Sequence, residues 1–321
     1  NLMRHDENEY NRWQAGQAWA MNILQANICA CATDPEAFSD YADVLADVLE
    51  NDSVDLAVRA EMLSLPSIQQ VLEKQSVMNP TATHEALTSF EQYLGGRLEA
   101  LLLKPLQVVE EEPYALDAQS IAKRQYRNRC LSLLVAALPQ KYAEAVENLY
   151  AKANNLTDRL TALKLAVHHG HDKREGLLQD FYASWKEEAL VIDHWFAVQA
   201  SQPRDEVISM INSLLGHDAF EWTNPNRVRS VVASFCRLNL SQFYREDGKG
   251  LELLAQTIGT IDAKNPQLAA RLAGFFNDWG KLDEPLRGFA EKQIEALIDK
   301  GLSENCYEIL SKSLSWYRSQ D

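Results

Sequence analysis

The sequence predicts an all-α protein, an irregular right-handed superhelix of stacked antiparallel helix pairs, and three observations carry that expectation. Glycine (13) and proline (10) are scarce in 321 residues, about 3 to 4% each against usual frequencies of roughly 7% and 5%. Apolar residues recur at helical spacing, and no convincing strand pattern interrupts them. The prolines that do occur stand in short connectors, where the first turn of a helix tolerates a missing N–H.

Along the chain, Tyr41, Val44, Leu45, Val48 and Leu49 form the stripe of an amphipathic helix, which Asn51-Asp52-Ser53 breaks. The signature returns at Leu156, Leu160 and Leu163, and again at Leu177, Leu178, Phe181, Tyr182 and Trp185, with Gly170 between as a helix stop. ATDPEAF, SLPSI, VMNPTAT, ALPQKY, SQPRDE, WTNPNR, AKNPQL and LDEPLR each predict a new helix. LQVVEEEPYALD (106–117) is the one long irregular candidate, its run Glu110 to Glu112 reading as a solvated loop. Residues 1–321 then form one helical domain, in which a division into two sub-bundles falls near 104–117. Asn-Pro starts at 224 and 265, 41 positions apart, point to stacked pairs of the HEAT or armadillo kind. Asn79-Pro80 is too distant to fix a repeat register, which favours an irregular array.

The formal net charge of −15 argues against nucleic acid and anionic membranes as partners, because that affinity comes from clustered Lys and Arg. Cys29, Cys31, Cys130, Cys236 and Cys306 are odd in number and form no CxxC pair, which reads as a reducing, cytoplasmic setting. No run approaches the roughly 20 apolar residues of a membrane span. NLMRHDENEYNRW is too polar for a signal peptide and lacks an initiator Met, as a segment cut from a longer chain would.

Few residues could carry chemistry. HEALT (84–88) opens like a zinc-peptidase HExxH helix, but Thr88 replaces the second imidazole, so no bidentate site is expected. His168, His169 and His171, with Asp172, could be imagined as a metal site. Two of them fall in the last turn of a helix ending at Gly170, where imidazoles simply meet free carbonyls and the helix dipole. No nucleophile elbow, phosphate loop or dinucleotide fingerprint is present, and the cysteines lack arguable partners. Trp185, Trp195, Trp222, Trp279 and Trp316 read mainly as core.

The Asn-Pro segments remain. Asn224 caps and Pro225 opens a helix whose stripe is Val228, Val231, Val232 and Phe235, with Arg229 at its border. The second stripe is Leu268, Leu272, Phe275, Phe276 and Trp279, with Arg271 near its edge. Stacked neighbours could bring both guanidiniums onto one surface, where a fork of donors suits a carboxylate. The alternative is that each arginine ties adjacent helices through one of the 46 acids, and spacing alone favours it.

HDENEYNRWQAGQ, LVIDHWFAVQA (190–200), TNPNRVRSVVASF (223–235), FYREDGKG (243–250) and NPQLAARL (265–272), in that order, give a resemblance over nearly the whole chain. The chain resembles the C-terminal helical domain of the bacterial aminopeptidase N family, zinc-dependent alanyl aminopeptidases. Gln14 stands where that family usually has Glu, and HHGH is not part of its pattern.

The resemblance implies a bowl-shaped, non-catalytic domain that caps an active-site cavity and restricts it to short peptides. It implies zinc in an absent upstream catalytic domain and no cofactor in this chain. Its partners would be the upstream catalytic and beta domains of the same polypeptide, and peptide substrates. Positions matching Arg229 and Arg271 face the cavity in that family and can meet the C-terminal side of a bound peptide; no catalytic or metal residue is expected here. Two further readings are a helical-repeat scaffold for another protein and an independent metalloenzyme at His168, His169 and His171.

Overall fold

The computed structural model describes residues 2–32, 34–107 and 113–319. Among them the secondary structure is helical throughout; the exception is one isolated parallel bridge between Met78 and Leu282, where the Met78 N–H donates to the Lys281 carbonyl at 2.7 Å. The all-α expectation holds.

Short polar side chains start the helices. Asp34 accepts from the backbone N–H groups of Glu36 and Ala37 at 3.1 Å ahead of Pro35–Glu50, and Asn155 does the same for Asp158 at 2.9 Å ahead of Leu156–His168. Each satisfies donors that the first turn leaves without carbonyl partners. Pro35, Pro80, Pro225 and Pro266 occupy first helical positions, whereas Pro66, Pro139 and Pro203 lie in connectors two to four residues upstream. Pro105 departs from the rule by lying inside Glu99–Gln107, near its end, where a missing N–H removes only one late bond.

Gly170, at φ 69°, closes Leu156–His168 as expected. The His171 N–H reaches back to the Ala166 carbonyl at 2.9 Å and the His169 N–H to Leu165 at 3.1 Å, a wrap that needs a left-handed residue.

The chain divides into two compact units, residues 1–71 with 82–177, and residues 72–81 with 178–321. Residues 104–107 and 113–117 lie inside the first unit, and the Glu110 to Glu112 run falls outside the described residues. In the first unit the stripe of Pro35–Glu50 is buried, and the Phe38 ring stacks on Phe90 at 4.2 Å, with Tyr41 edge-on to Phe90 at 5.2 Å. In the second, Trp195 and Phe196 of Ala189–Ala200 pack about His217, and the Trp195 indole donates to the Leu178 carbonyl at 3.0 Å. Each such side chain stabilises its unit by about 1.5–3 kcal/mol on full burial.

One connection in the second unit spans 41 positions. The carboxylate of Asp262, at the end of Lys249–Ile261, accepts the Ser303 N–H at 2.6 Å and its hydroxyl at 2.5 Å, and Ser303 immediately precedes Glu304–Arg318.

Candidate functional site

Both Asn-Pro pairs are capped starts. The Asn224 side chain accepts from the N–H groups of Asn226 at 3.0 Å and Arg227 at 3.3 Å, and Asn265 accepts from Leu268 at 3.0 Å. Pro225 and Pro266 follow at the first helical position. The capped turns fix which side chains face inward: Val228, Val231, Val232 and Phe235 are wholly buried in one helix, and Leu268, Leu272, Phe276 and Trp279 are buried in and after the other.

The first helix is not uniform. It runs as α-helix over Pro225–Val228, as π-helix over Arg229–Ala233 and as α-helix again over Ser234–Leu238, and the Ser234 N–H reaches the Arg229 carbonyl five residues back. A single wide turn of this kind takes up one extra residue, and such turns are frequent at functional positions. Sequence periodicity did not reveal it, because the apolar positions on either side are compatible with a plain 3.6 repeat.

Two arginines in this helix have opposite surroundings. Arg227 is buried, with its Nε 2.8 Å from the Asp193 carboxylate, its Nη1 donating to the Ala219 carbonyl at 2.8 Å and its guanidinium 4.8 Å above the Phe196 ring. That is the helix-tying role which the sequence left open for Arg229. Arg229 itself is half-buried, its Nη1 donates to the neutral side chain of Asn226 at 2.8 Å, and no carboxylate pairs with it among the described residues.

Arg271 lies in the last turn of Pro266–Ala273 and is exposed, with no hydrogen bond or ion pair among the described residues. Phe275, one turn further on, is half-buried rather than part of the buried stripe. Above its ring, 6.0 Å from the centroid, stands the guanidinium of Arg237, which is exposed and has no acid partner among the described residues. Phe275 thus links Arg237 of one helix to the 3-10 turn Gly274–Phe276 that follows the helix of Arg271. Chemically, the arrangement presents guanidinium donors uncompensated by carboxylates, which suits an anionic oxygen ligand.

The other candidates resolve into structure. His84 lies in Pro80–Arg97 as expected, and burial holds its imidazole below the ordinary value, with Glu85 opposing. Both ring nitrogens of His171 are engaged: Nδ1 accepts the Lys173 N–H at 3.0 Å, and Nε2 lies 3.2 Å from the Ala143 carbonyl. Among the described residues, no three His, Cys, Asp or Glu side chains gather as a metal site. Trp195 and Trp279 are buried as the pattern predicts, but Trp316 is 55% exposed.

A family model described as "Domain of unknown function (DUF3458_C) ARM repeats" matches residues 1–315. Aminopeptidase N of Escherichia coli K12 and that of Caulobacter vibrioides are each 32% identical over 320 residues, covering 98% of this chain and 36% of the relative. Haemophilus influenzae aminopeptidase N is 30% identical over the same length. The chain therefore spans about a third of the length of the curated relatives it matches. The solved structure of Legionella pneumophila aminopeptidase A in complex with aspartic acid superposes with a TM-score of 0.87 at 24% identity, over 98% of this chain and 38% of that one, a likeness of fold.

Proposed function

The chain belongs to the DUF3458_C family of ARM-repeat domains, and we propose that it is the non-catalytic C-terminal domain of a zinc-dependent aminopeptidase that releases N-terminal residues from peptides. It caps the active-site cavity of the whole enzyme, admits short peptides and offers Arg229 and Arg271 to the substrate's C-terminal carboxylate. The observation that carries this reading is the state of the two arginines: neither has an acid partner among the described residues, although the chain holds 46 acids. Arg227, two positions from Arg229, supplies the contrast, because it meets its structural need through Asp193.

Among the described residues, the side chains present do not fit zinc. Thr88 stands where a second imidazole is needed, both nitrogens of His171 are occupied, and no ligand cluster forms among the described residues. The metal, and the activation of water that it would supply when bound, are assigned to the upstream catalytic domain. The partners proposed are the upstream catalytic and beta domains of the same polypeptide, and peptides. The net charge of −15 speaks against nucleic acid and anionic membranes, and among the described residues no helix is long and apolar enough to cross a bilayer. Five free thiols support a cytoplasmic setting.

In the full-length enzyme, Arg229→Ala or Arg271→Ala is expected to raise KM about tenfold for a free-acid peptide and much less for its C-terminal amide, as loss of one charge-assisted hydrogen bond would. Equal effects on both remove the carboxylate role. Stoichiometric zinc with turnover of alanine p-nitroanilide by the isolated chain would overturn the non-catalytic assignment.

A further inference from the structure

Arg229 and Arg237 are eight residues apart in one helix. On a uniform α-helix that interval is about 80° of rotation, which would send the two side chains to different sides. The π turn at Arg229–Ala233 takes up one residue without advancing the α phase. The remaining seven residues bring the pair back to within about 20° of each other, roughly 10 Å apart along the axis. Exposure follows that geometry. Arg229, Ala233, Ser234 and Arg237 make one accessible stripe, while Val231, Val232, Phe235 and Cys236 stay buried. The side chains between the arginines are small, so two long guanidinium arms have room to lean together over them.

The third charge comes from the neighbouring helix. The Arg237 guanidinium lies 6.0 Å above Phe275, which comes four positions after Arg271, in the 3-10 turn Gly274–Phe276 that follows that helix. Arg229 is held by the neutral Asn226 and Arg237 by an aromatic ring. Neither hold neutralises charge. Like charges brought near one another repel unless an anion joins them, and one carboxylate presents only two oxygens, enough for two forks. A third unpaired guanidinium calls for a second anionic group.

We propose that Arg237 is a specificity-determining residue: with Arg229 and Arg271 it forms a site for a peptide end bearing two carboxylates, the terminal one and the side chain of a final Asp or Glu. The assignment rests on the carboxylate role proposed above for Arg229 and Arg271. Arg237 adds selection among C-terminal residues and takes no part in bond cleavage.

The test uses the full-length enzyme and two peptides, Ala-Ala-Ala-Asp and Ala-Ala-Ala-Asn, both with free C-termini. Arg237→Gln is expected to raise KM for the Asp peptide about tenfold more than for the Asn peptide, with kcat little changed, and Arg237→Lys should recover part of the difference. An arginine serving only the helix end would change stability and move both KM values alike. That outcome, or no change in either, overturns the proposal. If Arg229→Ala and Arg271→Ala fail to separate free acid from amide while Arg237→Gln still separates Asp from Asn, the shared carboxylate reading falls and the selectivity of Arg237 survives. Calorimetric titration of the 321-residue chain with glutarate gives a readout free of catalysis. Binding weakened about tenfold by Arg237→Gln is expected, and equal binding, or none to either form, also overturns it.

Discussion

The Arg227 guanidinium lies 2.8 Å from the Asp193 carboxylate, and through that pair the segment TNPNRVRS is bound to the segment LVIDHWF. Asp193 belongs to Ala189–Ala200, where Phe196 also lies 4.8 Å beneath the same guanidinium. Both members of the pair are largely shielded, with side-chain exposures of 7% and 18%, so removal of one strands the other's charge.

Arg227→Ala should therefore destabilise the second unit by about 3–5 kcal/mol, whereas Arg229→Ala should change stability by less than about 0.5 kcal/mol. Urea unfolding of the two variants decides between them. Comparable losses would mean that Arg229 carries structural weight and would weaken its assignment to a ligand.

Two adjacent glycines in Pro80–Arg97 should respond with opposite signs. A methyl at Gly95 would lie 2.1 Å from the Leu133 carbonyl oxygen and 2.8 Å from the Ala137 Cβ, so the two helix backbones would have to part. A methyl at Gly96 meets nothing within 4 Å. Gly95→Ala is expected to cost about 1–3 kcal/mol or more, and Gly96→Ala to gain up to about 1 kcal/mol from helix propensity. Thermal melts that move in the same direction would contradict this packing.

Thiol chemistry should divide the cysteines. Cys29 and Cys31 are exposed, whereas Cys130, Cys236 and Cys306 are buried. Burial pushes the Cys130 thiol up to about 12, with the Tyr126 hydrogen bond opposing, lifts Cys306 to about 11, and holds Cys236 well above the ordinary thiol value. At about pH 8, dithionitrobenzoate should titrate two thiols in the native chain and all five after denaturation. Rapid labelling of a third in the native state would show the buried set to be open.

The pH response of His84 has a definite sign. Its folded value lies below the ordinary 6.5, chiefly through burial. Between the two values the unfolded chain binds more protons than the folded one, so stability is full above about 6.5 and falls as pH drops through the lower folded value. Urea midpoints measured from about pH 7.5 down to about pH 5.5 should fall more steeply for wild type than for His84→Gln. Parallel curves would place that imidazole in water.

The fold was legible where local chemistry decides it. Asp34-Pro35, Asn224-Pro225 and Asn265-Pro266 mark helix starts, and the stripes from Tyr41 to Leu49 and Val228 to Phe235 mark buried faces, because caps and periodicity need only neighbours in sequence. The candidate site was legible in part. Arg229 and Arg271 stand out by their positions after the Asn-Pro starts, but the Asp193 partner of Arg227 is 34 positions away, and nothing local pairs the two. Arg237, the residue proposed to join Arg229 and Arg271, does not stand out in the sequence, because a 100° wheel, blind to the π turn, sets it on another side. The spacing of Trp316 predicts a core residue, and it is largely open.

Asp262 holds the start of the final helix from a point 41 positions earlier. The fate of Glu304–Arg318 is thereby tied to an element formed long before it. Cut free as a peptide, that terminal segment would lose its anchor and fray, and any exchange of the two ends between proteins must carry the acid and the serine together.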